Sequence, residues 1–481
     1  MTTEAHEFTL PGVDPLLSWM QPEIYGTDDF LASAMVSMSP LTPDADAFLK
    51  EREKSASYEV ERVPLATLPN WHFDDRLGRA DGKFFTVEGL SVRTDFGPVP
   101  QWTQPIIVQS EIGILGILAK RFDGVLHFLM QAKMEPGNTT FVQYAATVQA
   151  TQSNYQRVHG GRATPYLDYF LEGTRRRVLF DQLLSEHGFW YLYKRNRNMI
   201  VEVPEDEEIP VENDFTWLTL GQLRQQLTQG NGVNMNARTV LSGISYGAAG
   251  SDLLPYAEQP DGFHAEIVES HRTPFSAADL SGVLTWLFDQ KAKYSLDVRR
   301  TSLRDMGEWI CDDDSIRHRD GRIFDIIGMS VRATSREVGT WWQPMLEPRP
   351  GNVVALICQR RAGVLQFLVQ AMVQPGLTDR LELAPTVQFS PGYHRGPQDF
   401  PPLTEYLDAP ESWIRLDAVQ SEDGGRFSQA DTRHLVVELP EDHEIEAPDN
   451  YRWMTLGLLN RLTHFGYHVN VEARSLAACL L

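Results

Sequence analysis

One long pattern occurs twice in this chain, and that repeat limits the fold more than any other feature. Asp81-Gly82-Lys83-Phe84-Phe85-Thr86-Val87-Glu88-Gly89-Leu90-Ser91-Val92-Arg93 aligns with Asp320-Gly321-Arg322-Ile323-Phe324-Asp325-Ile326-Ile327-Gly328-Met329-Ser330-Val331-Arg332. The same spacing carries Trp102 to Trp341, Gln104-Pro105 to Gln343-Pro344, Pro136-Gly137 to Pro375-Gly376 and Thr147-Val148-Gln149 to Thr386-Val387-Gln388. After a small slip, Pro204-Glu205-Asp206 matches Pro440-Glu441-Asp442, and Ala237-Arg238 matches Ala473-Arg474. A period this long means two whole modules; solenoid repeats run about 20–50 residues. Residues 242–262, rich in Gly, Ser, Ala and Pro, read as the linker between a first module (1–241) and a second (263–481).

Within each half the pattern predicts an α+β fold, a mixed, largely antiparallel sheet flanked by helices. Residues 29–35 and 43–54 read as helices, and 276–293 as the counterpart of the second. Residues 84–93 read as a strand. Residues 112–120 and 125–133 form a hairpin around Phe122-Asp123-Gly124. Residues 190–193 and 199–203 suggest a second hairpin, and 219–227 an amphipathic closing helix.

Composition removes several classes of function. Net charge is −22, so no nucleic-acid partner is expected, because phosphate neutralisation needs a basic face. Cys311, Cys358 and Cys479 are scattered, which suits reduced thiols and not a disulfide or zinc framework. Residues 1–12 lack the features of a signal peptide, and the apolar run 112–119 is too short to span a bilayer. A cytoplasmic location without membrane association is the expectation. Gly243-Ile244-Ser245-Tyr246-Gly247 matches a nucleophile elbow but lies in the linker, without the strand-turn-helix context. His464 and His468 lack an H-E-x-x-H frame, and no glycine-rich phosphate loop is present. No metal or cofactor is therefore expected.

Two segments remain. Residues 147–155 lead to His159-Gly160-Gly161, which suits either a ligand-lining loop or a turn with an exposed histidine. Ser185-Glu186-His187-Gly188 leads to Lys194-Arg195-Asn196-Arg197-Asn198, either an anion-binding turn or a solvated hairpin tip. Between copies, Lys133, Glu135, His187, Lys194 and Asn198 become Met372, Gln374, Asp423, Ala430 and His434, and Asn154 becomes Gly392. Gln149/Gln388, Tyr155/Tyr393, Glu186/Glu422 and Arg197/Arg433 persist. This asymmetry suggests a working pocket in the first copy and a relic in the second.

These segments, with Tyr166-Leu167-Asp168-Tyr169-Phe170 and the duplication itself, resemble the NDP-hexose 2,3-dehydratases of deoxysugar and antibiotic biosynthesis, over roughly residues 14–481. The resemblance implies a homodimer of chains with two tandem Nudix-like modules and two dTDP-sugar pockets, one of them catalytic. It implies a lyase that takes water from C2/C3 of dTDP-4-keto-6-deoxy-D-glucose and passes a 3,4-diketone to a 3-ketoreductase. No R-E-x-x-E-E-x-G box is present, so metal-dependent pyrophosphate hydrolysis is not expected. A Nudix-type nucleotide-sugar hydrolase and a non-catalytic nucleotide-sugar binder are the alternatives. On this resemblance His159, Tyr155 and Glu186 are the catalytic candidates. Lys133, Gln149, Asn154, Lys194, Arg197 and Asn198 are candidate substrate ligands, and Trp102 is a candidate thymine platform.

Overall fold

The structure, a computed structural model, describes residues 28–151, 164–171, 176–247, 262–334, 338–394 and 396–481. Each half contributes a seven-stranded mixed sheet of the same topology. In the first half, Gly113–Phe122 and Val125–Met134 form the predicted hairpin. Asp123 and Gly124 both have positive φ (50° and 80°), as a two-residue type I′ turn demands. Arg195–Glu202 runs parallel to Gly113–Phe122, and Arg177–Ser185 lies outside it. Asn352–Arg361, Val364–Val373, Asp431–Leu439 and Ile414–Ser421 repeat this order. The second predicted hairpin, 190–193 with 199–203, does not form. The partner of Arg195–Glu202 is Arg177–Ser185, and residues 190–193 belong to the connecting loop.

Two further five-stranded sheets exchange a strand between the halves. Tyr58–Val63 pairs with Phe324–Ala333, and Leu296–Thr301 pairs with Thr86–Thr94. The glycine at the centre of the repeated motif has its reason at this crossing. A Cβ on Gly89 would lie 2.8 Å from the Thr301 carbonyl oxygen, and one on Gly328 would lie 2.5 Å from that of Val63.

The largest core cluster draws on both halves, with Phe128, Tyr144 and Leu223 joined to Leu287, Phe367 and Leu459. Helices Met235–Leu241 and Val471–Ala478 carry the repeated arginines, both fully buried. Arg238 reaches across to donate to the Ser421 carbonyl at 2.7 Å, and Arg474 reciprocates to that of Ser185. Asn234 and Asn470 cap these two helices, and Thr219 closes a capping box on Leu220–Gln229. Of the stretch read as a linker, residues 242–247 are packed. Ile244 and Tyr246 are in the core, and Asn460 donates to the Ser242 and Ile244 carbonyls at 2.8 Å. A helix, Met235–Leu241, precedes Ser245, so the elbow geometry is absent.

Candidate functional site

Two cavities flank the interface of the halves, and each is built from both. The first, about 530 Å³, takes Lys133, Gln149, Glu186 and Lys194 from the first half and Trp341, Asp423 and Arg426 from the second. The other, about 360 Å³, takes Trp102, His187 and Trp190 from the first half and Gln388, Tyr393, Glu422 and Glu472 from the second. The mixing comes from two equivalent loops, 186–194 and 422–430. In each, neighbouring residues turn to opposite cavities: Glu186 faces the first and His187 the second, Glu422 the second and Asp423 the first.

The paired glutamates sit in opposite electrostatic settings. Glu186 Oε1 accepts from Asn196 Nδ2 at 2.6 Å, while its buried Oε2 has no hydrogen-bond partner. Burial pushes its pKa up, against the pull of Arg474. Around Glu422, burial is opposed by His187 and Arg238, which hold its carboxyl down at about 2. His187 Nε2 lies 3.1 Å from Glu422 and Nδ1 3.1 Å from Glu472. Burial disfavours the imidazolium, but the two carboxylates outweigh it and push the pKa up to about 10. The second cavity thus holds a histidine clamped between two carboxyl groups, and the first a buried carboxyl with one oxygen unpartnered.

Lys194 donates to the Glu111 carbonyl at 2.5 Å. Burial, with the like charge of Arg426, brings its pKa down to about 8 against the pull of Glu186. An unfolded lysine stays protonated to about 10.4. Between these values the unfolded chain binds more protons, so stability rises with pH across that window. Below it the buried ammonium costs up to about 3 kcal/mol. Lys194→Met should therefore melt higher than the native protein at pH 7, and the gain should shrink between about pH 8 and 10. Thermal melts across that range check this; a gain absent at pH 7 or constant with pH would refute it.

Lys133, Gln149, Glu186 and Lys194 line one cavity, as a shared site requires. Asn154, Tyr155 and His159 lie outside the described residues. Three other candidates are relocated. Trp102 lines the second cavity, and its twin Trp341 lines the first, so each small sheet lies against the cavity lined mainly by the other half's large sheet. Arg197 does not face the cavity but pairs with Asp181 at 2.6 Å, because strand alternation turns it away from Asn196 and Asn198. Asn198 shares the inner face but is fully buried, donating to the Asn196 carbonyl at 3.0 Å. Sequence reading missed Trp341, Asp423 and Arg426, which belong to the other copy. Tyr191 was missed too; its hydroxyl donates to Asp423 at 2.6 Å. The divergence of 423–426 from 187–190 was the available sign.

A family profile described as NDP-hexose 2,3-dehydratase matches residues 42–244 and 280–480, one match per half. A Saccharopolyspora spinosa protein named dTDP-4-dehydro-6-deoxy-alpha-D-glucopyranose 2,3-dehydratase is 45% identical over 464 residues, 94% of each chain. Proteins of the same name from Amycolatopsis orientalis (42% identical, 91% of this chain and 90% of the relative) and Streptomyces violaceoruber (41%, 90% and 96%) also match. With a matched repeat in each half and such relatives along nearly its whole length, the chain belongs to the NDP-hexose 2,3-dehydratase family.

Proposed function

We propose that the chain dehydrates dTDP-4-keto-6-deoxy-D-glucose across C2 and C3 in the first cavity. The observation that carries the placement is the unpartnered Glu186 Oε2 in a cavity that also holds Lys133, Lys194 and Arg426. The C4 ketone acidifies the C3 proton, so the reaction needs no redox step. A base takes that proton and charge develops on the C4 oxygen, where a fixed cation lowers the barrier. The C2 hydroxyl then leaves with a proton from an acid, and the enol rearranges to the 3,4-diketone. Glu186 is the proposed proton carrier for leaving hydroxide. His159 is the proposed base and Tyr155 the oxyanion donor, on the stretch joining Thr151 to Thr164, both of which line the cavity. Lys133 and Lys194 are the proposed substrate cations, with Gln149 and Asn154 as polar ligands.

The same reading takes the halves (1–241 and 263–481) as Nudix-like modules, the active species as a cytoplasmic homodimer, and the consumer of the product as a 3-ketoreductase. The resemblance supports these points. The test is incubation with dTDP-4-keto-6-deoxyglucose and reductive trapping of the product. Mass should fall by one water, with turnover unaffected by excess chelator. Release of dTMP would instead mark a hydrolase, and binding without turnover a carrier.

A further inference from the structure

The first cavity contains a cation that its own half does not supply. Arg426 stands where the other loop has Trp190, and the two side chains have different settings. Trp190 packs 4.9 Å from the His187 ring and 4.6 Å from that of Phe427 in the second cavity. The Arg426 guanidinium lies 4.5 Å from the Phe85 ring centroid and 5.3 Å from that of Phe84, at the wall of the first. Two aromatic rings brace it and its backbone carbonyl accepts from Leu346 N at 3.0 Å, so it is held in place before any ligand arrives. NH1 donates to the Gly425 carbonyl at 2.8 Å, while Nε is buried without a hydrogen-bond partner. The nearby carboxylate, Asp423, accepts from Tyr191 and Gly425 N, and Arg426 makes no ion pair among the described residues. A buried N–H without an acceptor is costly unless a ligand supplies one. A planar fork beside an ammonium such as Lys194 matches two adjacent phosphate groups better than a second lysine would.

We infer that Arg426, contributed by the second half, is the residue that selects the diphosphate of the substrate in the first cavity. This rests on the nucleotide-sugar reading above. It gives the second half a direct part in the reaction even if its own cavity does none. Arg426→Met keeps the stem and ring contact but removes the charge and fork; Arg426→Lys keeps the charge alone. With the sugar nucleotide, KM of the Met variant should rise about 10- to 100-fold with kcat little changed, the loss expected for charge-assisted hydrogen bonds. Inhibition by dTDP should weaken in parallel, inhibition by thymidine should not, and the Lys variant should recover part of the loss. Should the native protein bind dTDP without turning the sugar over, the dehydratase reading falls. Calorimetry with dTDP and thymidine then decides Arg426 independently, through loss of one dTDP component in the Met variant. Equal dTDP and thymidine responses in the Met and native proteins, or a native protein indifferent to the diphosphate, would overturn the inference.

Discussion

Glu186→Gln should cost about 10²- to 10⁴-fold in kcat, the usual contribution of a positioned acid or base, while the fold is kept. Glutamine can still accept from Asn196 through its amide oxygen, as Glu186 Oε1 does at 2.6 Å, but it has no proton to exchange at Oε2. The variant should also be no less stable. A carboxyl whose folded pKa is raised by burial supports the fold at low pH and ceases to do so as pH rises through that value. The Gln variant should therefore gain in melting temperature over the native protein as pH climbs past the ordinary carboxylate range. His159→Asn should lose activity to a similar extent if it is the base. His394→Asn, in the second cavity and stacked on Phe389 at 5.1 Å, should keep most of it. Native-like kcat in Glu186→Gln would remove this carboxyl from the mechanism. A dead His394 variant beside an active His159 variant would move the chemistry to the other cavity.

The duplication made much of the fold readable. Asp123-Gly124 named its hairpin because few residue pairs accept positive φ twice in succession. What stayed hidden was which copy each element serves. Tyr58–Val63 and Leu296–Thr301 have the same burial pattern, and nothing local tells a strand whether to pair with its own half or the other. Trp102 and Lys133, both of the first half, line different cavities, and loop crossing hides Arg426 in what looks like a degenerate copy. Arg197 was misplaced for a different reason. In Arg195-Asn196-Arg197-Asn198 polar residues occupy both faces of the strand, so the alternation that would separate them gives no contrast. Residues that look like losses in one copy are therefore better judged by the cavity they reach than by the half they belong to.

The interlock of the two halves gives the largest expected effect on stability. Gly137 N donates to the Gly424 carbonyl at 2.8 Å, and its own carbonyl accepts from Gln429 N at 2.6 Å. Gly376 mirrors this, donating to Gly188 and accepting from Tyr193, both at 2.7 Å. Each glycine thus pins the opposite half's cavity loop. Neither has positive φ, so the reason for glycine is space, not backbone freedom. A Cβ at 137 would lie 1.7 Å from the Phe427 carbonyl oxygen, and at 376 it would lie 1.8 Å from that of Tyr191. Backbone on both sides cannot yield as a flexible side chain could, so either alanine must push a loop away. That breaks both hydrogen bonds and opens the packing behind Trp190 and Phe427, which stand 4.6 Å apart. Gly137→Ala and Gly376→Ala should each cost about 4 kcal/mol or more, the range reached by core overpacking combined with lost buried hydrogen bonds. Melting temperature and soluble yield should both collapse. Gly307→Ala is the control, since a Cβ there meets nothing within 4 Å. If Gly376→Ala melts with the Gly307 variant, the loops are not held by this contact. Because Gly376 pins the loop that carries Glu186 and Lys194 to the first cavity, and Gly137 the loop that brings Asp423 and Arg426 there, any protein that survives either change should also lose activity.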